Sequence, residues 1–136
     1  MLSMARLALC FAAMALLLLS LSALKRTRVP VRTASEDAVQ AALSMLGLRD
    51  GERFCDLGCR SGRVLRAARA RSDVEAWGYE LNPFAFAWAS LRADRRTRVR
   101  WADFRRADLG PVDAAFAYLM PGAMVLRSSP RRQAAR

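Results

Sequence analysis

The chain has 136 residues, no histidine, three cysteines and a formal net charge of +11. The missing histidines remove the commonest general base and metal ligand, and an odd cysteine count argues against a disulfide scaffold. The basic excess is nearly all arginine, scattered along the chain and not interleaved with aromatics, so no nucleic-acid partner is expected from it.

Leu7 to Leu24 carries no charged side chain. A helix of that length spans about 27 Å, enough for a thin hydrocarbon core. Arg6 precedes the run; Lys25, Arg26, Arg28 and Arg32 follow it. Positive charge after the run holds that side in the cytoplasm. It also opposes a cleaved signal peptide. Residues 1–24 therefore read as a membrane anchor or a signal segment, the single-pass transmembrane anchor being favoured, with the membrane as a partner and the rest of the chain on the cytoplasmic side. Residues 25–34, with Pro30, read as a basic linker that can touch anionic headgroups.

A single α/β domain is expected over 35–125. Thr33-Ala34-Ser35-Glu36 fits a capping box with Thr33 as the N-cap. Val39, Ala42, Leu43 and Leu46 then share a helical face, and Gly47 is placed to stop that helix. After Asp50-Gly51, a first strand at 53–57 reaches Asp56-Leu57 and a tight turn from Gly58 to Gly62. The turn feeds a helix whose Val64, Leu65, Ala67 and Ala68 can pack on a sheet while its arginines reach solvent. A second strand at 74–79 ends at Glu80. Asn82-Pro83 opens the next helix, with Asn as N-cap and Pro at the first helical position. Phe84, Ala87, Trp88 and Leu91 form one stripe of it, read as facing the core. A third strand at 97–101 precedes Asp103-Phe104, and a fourth at 112–118 runs into Leu119-Met120-Pro121-Gly122. Beyond about Met124 the pattern fades, and 126–136 reads as a disordered basic tail.

Strands alternating with helices predict a Rossmann-like, partial parallel sheet of order 3-2-1-4 with flanking helices. All carboxyl ends then lie on one rim, where ligands bind in such sheets. Asp56, Glu80 and Asp103 each fall at or just after a strand end. Glu80 lies at about the spacing from Gly62 expected of an acid that binds ribose hydroxyls. A dinucleotide fingerprint fails, because Gly58 is followed by Arg60 and Arg63 where glycines are needed. Cys55 and Cys59 have no second pair, so no metal site is expected.

Three runs together carry a resemblance: Asp56-Leu57-Gly58-Cys59-Arg60-Ser61-Gly62, Gly78-Tyr79-Glu80-Leu81-Asn82-Pro83, and Asp103-Phe104. They resemble the class I S-adenosylmethionine-dependent methyltransferases. The second run is similar to one in small membrane-anchored lysine methyltransferases that act on the ATP synthase c-subunit and the adenine nucleotide translocase. The resemblance covers about 35–125. It implies S-adenosyl-L-methionine as cofactor and a protein lysine as methyl acceptor. It implies that Asp56, Gly58 and Gly62 shape the turn under the methionine, that Glu80 holds the ribose, and that Asp103 and Phe104 meet the adenine end. Tyr118 and Pro121 would face the acceptor.

The chain departs from the family in two ways. Arg60 stands where the family has a glycine, and glycine there lets the backbone approach the ligand without a Cβ in the way. The family's sheet also has seven strands, whereas this pattern ends after four. That predicts a C-terminally shortened domain with the fourth strand as an unpaired edge. The alternative function is then a non-catalytic, truncated, membrane-tethered methyltransferase-like protein.

Overall fold

The computed structural model describes residues 3–27, 33–119 and 122–127. The central part of the linker, Pro121 and the tail from 128 onward lie outside the described residues. Helix α1 (Met4–Thr27) is followed by α2 (Glu36–Leu46), β1 (Arg53–Leu57), α3 (Arg63–Arg71), β2 (Glu75–Glu80), α4 (Pro83–Leu91), β3 (Thr97–Trp101), β4 (Ala114–Leu119) and β5 (Gly122–Arg127). The strands form one sheet of order β3-β2-β1-β4-β5. β1 pairs in parallel with β2 and β4, and β2 pairs in parallel with β3.

The fourth strand is not an unpaired edge. β5 turns back and pairs antiparallel with β4, from Leu119↔Gly122 to Ala114↔Arg127. The sheet is therefore mixed and five-stranded, rather than parallel and four-stranded. Arg127 fixes the far end of β5: its guanidinium donates to the Leu46 carbonyl at 2.7 Å and pairs with Glu52.

The expected transmembrane anchor is overturned. Among the described residues, no helix is long and apolar enough to cross a membrane. The single-pass membrane localisation, the cytoplasmic orientation and the membrane partner go with it.

One sheet face carries the main core. Phe54, Ala76, Ala114 and Phe116 sit on the sheet face that meets Val39, Leu43 and Leu46 of α2 and Leu65 and Ala68 of α3. α2 starts two residues later than the capping box predicts. Ser35, not Thr33, is its N-cap and accepts from the Ala38 amide, and Gly47 ends the helix in the left-handed region at φ 54°. The Thr33 hydroxyl accepts instead from the Arg60 guanidinium at 2.9 Å. The opposite sheet face carries Trp77, with the guanidinium groups of Arg53, Arg98 and Arg100 each within 5.6 Å of its ring. Arg98 and Arg100 lie on outer strand β3, where charge discourages pairing with another chain.

Candidate functional site

The turn between β1 and α3 is built by backbone geometry. Gly58 and Gly62 have φ of 86° and 74°, a region closed to most side chains. The amides of Gly58 and Cys59 both donate to the Tyr79 carbonyl at 2.9 Å, which ties the turn to the end of β2. A Cβ at Gly58 would meet nothing within 4 Å, so the turn borders open space. Close packing is required instead at Gly78, where a Cβ would lie 2.6 Å from Cys59 Sγ and 2.7 Å from Leu65 Cδ1.

Arg60 is the one non-glycine with positive φ among the described residues, at 49°. Its amide donates to Glu80 Oε2 at 2.8 Å, while Glu80 Oε1 accepts from the Asn82 amide at 2.8 Å. Each carboxylate oxygen has two lone pairs, so Glu80 retains acceptor capacity. The Arg60 side chain turns away from the acid and donates to Thr33 Oγ1 at 2.9 Å. Arg63 reaches the same segment, bonding the Ala34 carbonyl and pairing with Glu36 at 3.3 Å. Two arginines of the turn thus hold residues 33–36 beside it.

Below the turn, Asp56 is 2% exposed and Glu80 8%. Burial, reinforced by the charge of Glu80, pushes the Asp56 carboxyl up to about 8. Burial and the Asp56 charge also push the Cys55 and Cys59 thiols up. Both cysteines are free and buried, packed as small residues rather than poised as thiolates.

These elements surround a cavity of about 410 Å³, within the range of small-molecule sites. Asp56, Gly58, Cys59, Arg60 and Ser61 line it from β1 and the turn, Phe84, Ala85 and Trp88 from α4, Phe116 and Tyr118 from β4, and Thr33 and Ala34 from the segment before α2. Of the residues singled out in the sequence, Asp56, Gly58 and Tyr118 are in the wall. Gly62 follows the turn as the N-cap of α3, and Glu80 reaches the site through the Arg60 amide. Asp103 and Phe104 are not in the wall. Asp103 is instead paired with Arg105 at 2.9 Å, which holds its carboxyl below the usual range. Pro121 lies outside the described residues. Among the described residues, no group of acids and cysteines could hold a metal ion.

The sequence reading missed the apolar wall. Phe84, Trp88 and Leu91 do not face the core; they are 63%, 49% and 81% exposed. The signal was the cap: Asn82 starts α4 two residues after Glu80, so the first turns of α4 must begin at the rim. Thr33 gave no such signal.

The fold and the turn define the class I S-adenosylmethionine-dependent methyltransferase fold. An RNA methyltransferase from Salinibacter ruber, solved with S-adenosyl-L-homocysteine, superposes with a TM-score of 0.61 at 21% identity, over 66% of this chain and 62% of that one. A cyclopropane synthase from Mycobacterium tuberculosis gives a TM-score of 0.57 at 27% identity, over 70% and 35%. In sequence, the chain is distantly related to a lysine N-methyltransferase. The mouse adenine nucleotide translocase lysine N-methyltransferase is 38% identical over 87 residues, which are 64% of this chain and 38% of that protein. The chain thus spans well under half the length of the mouse protein. No family model matches the sequence.

Proposed function

We propose that the chain binds S-adenosyl-L-methionine at this cavity and transfers its methyl group to a protein lysine. The observation that carries the reading is the glycine turn and Asp56 lining one cavity at the carboxyl end of β1, with Glu80, from the end of β2, bonded to the same turn. When bound, the cofactor supplies an electrophilic methyl group on a sulfonium. Glu80 has the free lone pairs to accept two ribose hydroxyls. Gly58 leaves space at the turn. Phe84 and Trp88 offer apolar surface that excludes water, and Tyr118 lines the side of the cavity formed by β4. Methyl transfer of this kind depends on alignment, so positioning rather than a protein nucleophile is what the wall contributes. The lysine acceptor is suggested by the relation to the mouse enzyme. A second reading, a methyltransferase-like protein without transfer activity, is favoured by Asp103 being occupied by Arg105.

Calorimetry of the full chain with S-adenosyl-L-homocysteine tests the site. Saturable one-to-one binding is expected, weakened roughly tenfold to hundredfold by Glu80→Gln, which removes charge-assisted hydrogen bonds. No binding by folded protein would sink the reading. Transfer of labelled methyl to a lysine-containing protein separates the two activities: binding without transfer selects the non-catalytic reading.

A further inference from the structure

We infer that Arg60 is the receptor for the carboxylate at the amino-acid end of the ligand; this rests on the cofactor reading above. Arg60 and Arg63 bring two cations to the cavity wall, and Glu80 stands behind the turn, bonded to the Arg60 amide. Glu80 takes the diol, and the carboxylate then requires a cation.

The two arginines differ in what holds them. Arg63 is already neutralised by Glu36 and satisfied by the Ala34 carbonyl. The guanidinium of Arg60 meets a neutral acceptor, the Thr33 hydroxyl, and no carboxylate among the described residues. Exchanging the hydroxyl for a carboxylate adds ion-pair attraction to the bond, and the guanidinium can donate to both carboxylate oxygens in a bidentate fork. The backbone supports the assignment. A non-glycine at φ 49° is uncommon, and here it is held by the Glu80 bond to the Arg60 amide. The acid that would hold the ribose therefore also fixes the residue that would hold the carboxylate. The residue that breaks the glycine pattern is, on this reading, a binding group rather than an obstruction.

The test compares S-adenosyl-L-methionine with its decarboxylated form, which differs only by the carboxylate, by calorimetry on the full chain. The native chain is expected to prefer the intact ligand roughly tenfold to hundredfold. In Arg60→Gln that gap collapses, and Arg60→Lys restores part of it. Thr33→Ala, which removes the competing acceptor, keeps or widens the gap. A gap that persists in Arg60→Gln, narrows in Thr33→Ala, or is missing from a native chain that binds both ligands overturns the inference. A native chain that binds neither, with Arg60→Gly binding both, makes the arginine an obstruction and overturns it too. Binding by none of the variants ends the reading of the site itself.

Discussion

Asp56 holds its proton in the neutral range because it is buried beside a second acid. The unfolded carboxyl titrates near 4. Between about 4 and about 8, the native state keeps a proton that the unfolded chain has released. Stability must then fall as pH rises through that window. We expect the urea midpoint of the full chain to be higher at pH 5 than at pH 8, and Asp56→Asn to flatten that dependence. An equal slope in the two proteins would place the titration elsewhere. A cation bound next to Asp56 favours the ionised form, so affinity for a cationic ligand should rise with pH up to about 8. The position of Asp56 at a strand end was legible, because Leu-Gly follows it directly. Its protonation was not, since that depends on Glu80 arriving from another strand. The direction of Arg60 was hidden for a similar reason: its partner Thr33 arrives from a segment 27 residues earlier in the chain.

At the level of elements, α3 sits on β2 through a contact with no slack. A methyl group at Gly78 would strike Cys59 Sγ and Leu65 Cδ1, both closer than 3 Å. Gly78→Ala should therefore cost about 1–3 kcal/mol by overpacking, read from chemical denaturation. A neutral result would mean that α3 can lift from the sheet. Helices α2 and α3 were readable because their apolar residues lie on one face with charge opposite, and only a core can take that face. Helix α4 carries a similar stripe, yet Phe84 and Trp88 of that stripe wall a cavity. Periodicity reports that a helix face is apolar, and nothing in it says what covers the face. The same gap explains α1, whose apolar run was assigned to lipid.

For the molecule as a whole, β5 is held to the body by its antiparallel ladder and by Arg127, which reaches the C-terminal end of α2 and Glu52. Arg127→Met should speed hydrogen exchange at the β4–β5 amides by about tenfold while leaving those between β1 and β2 unchanged, as expected of local opening. Equal acceleration in both would show that the sheet opens as one unit. The order β3-β2-β1-β4 followed from right-handed crossovers, but the antiparallel return did not, because only Met120-Pro121 separates the two strands and the pattern was fading there. The position of β1 sets the timetable of folding. One of its edges is satisfied early by β2, which follows within about two dozen residues, whereas the other must wait for β4, some sixty residues later. During synthesis the central strand therefore leaves the ribosome with one side satisfied and one side open. Closing that long loop is the entropically expensive event that rewards nothing until it is complete. A nascent chain paused between β3 and β4 would be the species most in need of a chaperone.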